Sequence, residues 1–370
     1  ILGIMDDPDL SILKGASKAL INISKLYNLE KIELLKIDKK IQFLAKKAFQ
    51  LHIFNKSIKN DDASLLIKDH IRNDLFILIP ILLQLGTLKE PGVPIETYIR
   101  YIENKDFELM PLVLELVEST FSPIAAKLTI PLIDTEVSPI NAAKDLFKGD
   151  FLSKDEMLTL WIDNPHPWKT VIATHYCILK ENINLLKKID WEQIPANIFG
   201  NNIYRQSEQE YLNRNFFNNK IDTINKPIMY SILEKTILLK SVPLFQNIPS
   251  NILAKISQIS SEMQLSQNDF IFKEGDEGDS LYIIIKGNIN IIKDGQLIAN
   301  LGKGDCMGEM ALFDREPRSA DTVANDETIL LKIDQEGFYE LMAGNSEIMK
   351  EIVKILAMRL RSMNKEITKH

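Results

Sequence analysis

Cysteine is almost absent from this chain: Cys177 and Cys306 are the only two in 370 residues. They lie far apart and in no CxxC or metal spacing. That excludes a disulfide scaffold and a thiolate zinc site, and suggests two reduced thiols in a cytoplasmic protein. The five histidines (52, 70, 166, 175 and 370) show no metal-ligand spacing either, so no metal site is expected. No Ser–His–Asp order, P-loop or GxGxxG turn occurs, and nothing marks an enzyme. Positive charge is not in excess. A net charge of -7 and a pI near 5.5 give no electrostatic case for nucleic acid or anionic membrane as the principal partner. No apolar run reaches the roughly 20 residues needed to cross a bilayer, and no signal-peptide pattern is seen. LFILIPILLQL, 75 to 85, is too short and reads as a buried helix. The chain opens on ILGIMDD without an initiator methionine, which reads as part of something longer.

What is present is soluble-protein chemistry, 45% apolar and 26% charged, over a length that implies two or more domains. From residue 8 to about 200 the pattern is helical. In DPDLSILKGASKALINIS, Asp7 is the expected cap and Pro8 the first helical position. Leu10, Leu13, Ala16, Leu20 and Ile23 recur at three- and four-residue spacing and so share one face. Similar units follow, among them DKKIQFLAKKAFQLHIF, DASLLIKDHIRNDLFILIPILLQL, DFELMPLVLELVESTF, SPIAAKLTIPLID, SPINAAKDLF, SKDEMLTLWIDN and HPWKTVIATHYCILKEN. Most open on Asp, Ser or Pro, the residues that start helices. Short breaks and no strands predict stacked helix pairs, as a solenoid or a bundle. Trp161, Trp168 and Trp191 are expected to pack between the helices, and the lysine-rich KLYNLEKIELLKIDKKIQFLAKK to be a solvated face.

Residues 201–226 turn polar and Asn-rich and are expected to form a linker or long loop. A helix over KPIMYSILEKTILLKSVPLF then leads into a last domain at 227–370. After about residue 265 the apolar period drops from 3.6 to 2. DFIFKEG, SLYIIIKG, NINIIKDG, QLIANLGKG and ETILLKID are short β-branched runs broken by glycines, the pattern of a small antiparallel roll. From Phe338 the pattern is helical again. The expected class is therefore α+β and multidomain, with an all-α region at 1–200 followed by a β-roll with flanking helices.

One stretch carries chemistry: MGEMALFDREPRSADTVA, 307 to 324. Gly308 to Leu312 suit the start of a short inserted helix, whose unpaired N–H groups and positive dipole end favour an anion. Glu309, pointing inward, would accept from sugar hydroxyls. Arg318 supplies the opposite charge and forks onto two phosphate oxygens. An acid for a ribose, an arginine for a phosphate and apolar strands for a base describe a nucleotide monophosphate pocket. The alternative is a plain Arg–Glu surface pair.

Residues 241–364 resemble a cyclic nucleotide-binding domain. SVPLFQNIPSNILAKIS is similar to the family's helical lead-in, FKEGDEGDSLYIIIKGNINI to its first strands, and GEMALFDREPRSA to its phosphate-binding cassette. The resemblance implies that Glu309 holds the ribose 2'-hydroxyl and Arg318 the cyclic phosphate, with Gly308, Met310, Ala311, Ser319 and Ala320 completing the cradle. It places Ile291, Ala299 and Leu301 along the base and Arg359 and Met363 on the helix that lids it. Asp321 departs from the threonine or serine usual in the family, and strand alternation from Arg318 turns it away from the ligand. Threonine at the position of Ser319 goes with cGMP in the family, so cAMP is preferred over cGMP as ligand. In outline, PLVLELVESTF followed by IPLID is similar to HEAT repeats. The reading that follows is a non-enzymatic cyclic nucleotide sensor with a protein partner on its helices. The alternatives are a cytosolic regulatory part of a transporter-like membrane protein and a scaffold that has lost its ligand. The chain ends at His370 with no room for a helix-turn-helix, so no DNA-binding output is expected.

Overall fold

Serine or aspartate caps several of the helices, and the computed structural model shows how. It describes residues 2–7, 9–27, 31–90, 92–103, 106–163, 167–189, 230, 232–242, 245–246, 248–308, 316–344, 348–349 and 353. These fall in two compact units, Ile1–Ile189 and Asp190–His370. The expected linker at 201–226 and Trp191 lie outside the described residues.

The first unit is all-α. Its helices are α1 (Leu10–Ser24), α2 (Lys31–Ser57), α3 (Leu65–Gly86), α4 (Ile95–Glu103) and α5 (Met110–Thr120). They continue as α6 (Pro123–Ile133), α7 (Pro139–Phe147), α8 (Lys154–Ile162), α9 (Pro167–Leu179) and α10 (Ile183–Leu186). Ser122 and Ser138 accept hydrogen bonds from Ala125 N–H and Asn141 N–H, each followed by proline at the first helical position. Ser153 and Glu156 form a reciprocal capping box at the start of α8. For α1 the cap is Asp9 rather than Asp7. Asp9 accepts from Ser11 N–H at 2.7 Å, while Asp7 accepts from Asp9 N–H. On the same helix Ile23 is exposed, and Ser17, Ile21 and Ser24 join the buried face in its place.

A solenoid passes contacts only between successive repeats. Here α2 packs on α3, α6 and α7, and α3 also meets α1 and α9, so the helices gather around the α2–α3 pair as a bundle. The segment Asp62–Lys89 is long and apolar enough to span a membrane by length and composition alone, and 67% of its apolar window is buried inside the bundle. Trp161 and Trp168 are both buried there.

Beside Trp161 the bundle holds a buried charge cluster. Lys169 Nζ donates to Asp74 Oδ2 at 2.8 Å and lies 5.5 Å from the Trp161 ring centre, with His70 edge-on to the same ring. Burial alone would raise the Asp74 carboxyl. The charges of His70, Lys169 and Lys47 outweigh it and hold the group below its ordinary value.

The second unit begins with α11 (Ile232–Ser241) and α12 (Ser250–Ile259). Eight strands follow: β1 (Ser261–Leu265), β2 (Phe270–Phe272), β3 (Ser280–Lys286), β4 (Ile289–Lys293), β5 (Gln296–Leu301), β6 (Cys306–Met307), β7 (Asp321–Ala324) and β8 (Thr328–Asp334). Helix α13 (Gln335–Gly344) comes next. The strands form two antiparallel four-stranded sheets, in the orders β1-β8-β3-β6 and β2-β7-β4-β5. Strand β3 is buried on both faces and divides two cores. Leu281, Ile283 and Ile285 join Leu239, Leu253 and Phe338 of the helices and Phe245 of the turn between α11 and α12, whereas Tyr282 and Ile284 pack with Leu265, Ile289, Met307 and Ala324 between the sheets.

Lys169→Met should cost the bundle about 3–5 kcal/mol by leaving Asp74 buried without its partner, while Asp74→Leu with Lys169→Met should cost far less. Urea titration of the three proteins measures both. Because the folded carboxyl is depressed, its contribution is present above the unfolded value near 4 and is lost as pH falls through the folded one. The stability gap between wild type and the double replacement should narrow in that window.

Candidate functional site

Strand β6 is two residues long and lies against β3, with Met307 opposite Tyr282 and Cys306 opposite Ile283. The chain leaves this sheet at Gly308, beside the start of β3. Gly308 has a φ of +72°, and a Cβ built there would overlap Arg318 Nη1 and stand 3.0 Å from the Ser280 carbonyl oxygen. Glycine is required for two reasons, the left-handed backbone and the closeness of the guanidinium.

Arg318 arrives from the other end of the segment and is fastened at its backbone first. Gly275 N–H donates to the Arg318 carbonyl and Arg318 N–H donates to the Asp276 carbonyl, both at 2.8 Å. The loop that does this, KEGDEGDS, runs from β2 to β3. The guanidinium is buried, with 6% of the residue exposed. Arg318 Nη2 donates to the Ser280 carbonyl at 2.9 Å, and Nε finds no partner among the described residues. Its carbon centre lies 4.2 Å from the Phe272 ring centre and 5.9 Å from that of Tyr282. Among the described residues no carboxylate comes within ion-pair distance of it. Burial pulls the guanidinium below its ordinary value, with Tyr282, Asp279 and Asp276 opposing, but arginine stays charged in any accessible pH range. A dry cation with unspent hydrogen-bonding capacity is chemically a receptor for an anion.

The other residues read from the sequence divide by position. Ala320 is buried and Ser319 exposed, alternating with Arg318. Asp321 Oδ1 accepts from Glu274 N–H at 2.7 Å, so this carboxylate is occupied on the loop backbone. Ile291 stands opposite Ala299 and Ile289 opposite Leu301 across β4 and β5, which puts all four on one face. Ile291 and Leu301 pack partly against the core between the sheets, and Ala299 is exposed. Glu309, Met310 and Ala311, with the short helix expected there, lie outside the described residues, as do Arg359 and Met363. Sequence reasoning did not single out Phe272, Ser280 or Tyr282. All three lie in runs read as strands, DFIFKEG and SLYIIIKG, and an aromatic inside each run was the available signal.

A small antiparallel roll that holds a buried guanidinium at the mouth of a glycine-led segment has the chemistry to take an anion. Residues 262–345 match the family model described as a cyclic nucleotide-binding domain, and this segment of the chain is such a domain. The chain is 34% identical over 136 residues to a cGMP-dependent protein kinase (isozyme 2 forms cD5/T2) of Drosophila melanogaster, covering 35% of this chain and 15% of the kinase. Identity to the CRP-like cAMP-activated global transcriptional regulator of Mycobacterium tuberculosis is 28% over 135 residues, covering 35% and 60% of the two chains. The cAMP-dependent protein kinase regulatory subunit of Debaryomyces hansenii is 32% identical over 129 residues, covering 35% and 27%. This chain therefore spans less than two thirds of the length of each of these relatives.

Gly308→Ala should displace the Arg318 guanidinium and add backbone strain of about 1–2 kcal/mol. Thermal unfolding should report the strain. Calorimetry should report a fall in cyclic nucleotide affinity of about tenfold or more, the factor that 1.4 kcal/mol produces.

Proposed function

We propose that the protein is a non-enzymatic cyclic nucleotide sensor, with cAMP preferred over cGMP, whose helical region carries the signal to a protein partner. The observation that carries this reading is the buried Arg318 guanidinium, with no carboxylate in reach among the described residues, inside a domain of the cyclic nucleotide-binding family. In this reading the cyclic phosphate seats on Arg318, with backbone from Gly308, Met310, Ala311, Ser319 and Ala320 around it. Glu309 takes the ribose 2'-hydroxyl. Ile291, Ala299 and Leu301 line the base, and Arg359 and Met363 cover it. The relatives named above include proteins described by cAMP and by cGMP, and Ser319 in place of threonine supports the choice of cAMP.

Nucleotide shifts a regulatory equilibrium only by its differential affinity for two states of the protein. The sensor reading therefore places the working change in the elements around the pocket and its readout in the helices before them. We assign the chain to the cytoplasm, on the cytosolic face of a membrane if it works as part of a transporter-like protein.

Calorimetric titration of the full chain with cAMP and cGMP tests the reading. Wild type should bind cAMP more tightly than cGMP. Arg318→Ala should lose about 2–5 kcal/mol, roughly 30-fold or more. Glu309→Ala should lose about 1.5–3 kcal/mol for a hydrogen bond to a charged group. Absence of binding by wild type, or equal binding by wild type and Arg318→Ala, would overturn it.

A further inference from the structure

We infer that Phe272 and Tyr282 are positioning residues of the nucleotide site: they form an aromatic clamp that holds the Arg318 guanidinium in its anion-ready pose before any ligand arrives. The inference deepens the sensor reading and rests on it for the identity of the anion, though not for the clamp itself.

A guanidinium has five N–H donors and an obligatory charge, and burying it without a counter-ion is costly. Among the described residues Arg318 makes one side-chain hydrogen bond, from Nη2 to Ser280, and Nε finds no partner. Its acidic neighbours are engaged elsewhere. Asp279 Oδ1 accepts from Ser280 Oγ, Asp276 Oδ2 from Lys273 N–H, and Asp321 Oδ1 from Glu274 N–H. Besides the Ser280 carbonyl, two aromatic rings among the described residues face the cation. The Phe272 ring centre is 4.2 Å from Cζ, well inside the range in which a ring attracts a cation, and Tyr282 lies at 5.9 Å. The two rings contact each other at 5.9 Å with an interplanar angle of 39°. They come from different sheets, since Phe272 belongs to β2 and Tyr282 to β3. Each ring is anchored in the core between the sheets, so neither follows the arginine if it swings.

π faces suit this task where a carboxylate would not. A carboxylate would satisfy the guanidinium and then compete with the incoming phosphate. An aromatic face offsets part of the burial penalty and makes no claim on the N–H donors. The clamp thus separates holding the arginine from satisfying it.

The test uses the full chain with 15N-labelled arginine, first without nucleotide. The Arg318 Nε–H resonance, assigned by its loss in Arg318→Lys, should be displaced upfield by the Phe272 ring current, and Phe272→Leu should return it to the exposed-arginine position. An Arg318 resonance already at that position in wild type would overturn the clamp, and this readout needs only the conservative Arg318→Lys variant, for the assignment. In calorimetry with cAMP, Phe272→Leu should weaken binding about tenfold while Phe272→Tyr restores it, at unchanged melting temperature for the pair. Equal affinity of the leucine and tyrosine variants would likewise overturn it. If wild type binds neither cAMP nor cGMP, the sensor reading fails and the ring-current result still decides the clamp. If wild type binds and Phe272→Leu binds equally well, the clamp fails and the sensor reading stands.

Discussion

Arg318 has to be kept charged and kept dry at the same time, and much of the second unit's geometry follows from that conflict. Its guanidinium cannot shed a proton to escape the cost of burial. The surroundings offset the cost without neutralising the charge, through the Ser280 carbonyl dipole, two ring faces and acidic side chains at longer range. Gly308 lacks a side chain where one would push the guanidinium aside. The β2–β3 loop is bonded to the Arg318 backbone from both sides, so the residue is placed before its side chain is. Each of these features is local, and all of them converge on one buried cation.

The helical unit handles buried charge in the opposite way. Asp74 and Lys169 satisfy each other at 2.8 Å, with His70 and Trp161 closing the surroundings. That cluster is complete within the protein and asks for nothing from outside. The contrast separates a charge paired inside the protein from a charge that has no carboxylate in reach among the described residues. It also explains why burial of an ionisable group is not by itself a functional mark.

Much of this was legible in the sequence where a local rule decides the outcome. Serine or aspartate before a helix, proline at its first position and the change of apolar period near residue 265 all translate directly into elements. So did the pairing of Gly308 with Arg318 as one constellation. What was not legible depends on tertiary register. Strand β6 is two residues long and β7 four, too short for a period to show, and β1 sits before the apparent change of pattern. The cap of α1 moved from Asp7 to Asp9 because two aspartates flank Pro8 and only geometry chooses between them. Phe272 and Tyr282 are 10 positions apart in different sheets, and nothing in a linear reading brings their rings onto one arginine.

Strand β3 has a consequence of its own. Its odd-numbered side chains, Leu281, Ile283 and Ile285, belong to the core shared with the helices, and its even-numbered Tyr282 and Ile284 to the core behind the nucleotide site. The strand is a party wall between two rooms. Side chains of a strand are rigidly alternated by the backbone, so Tyr282 cannot be drawn along the strand or tilted without Leu281 and Ile283 moving by a comparable amount. Close-packed interiors do not absorb such motion smoothly; they repack. Any shift of Tyr282 would then reach the helices as pressure on a shared partition, with no separate hinge needed to carry it.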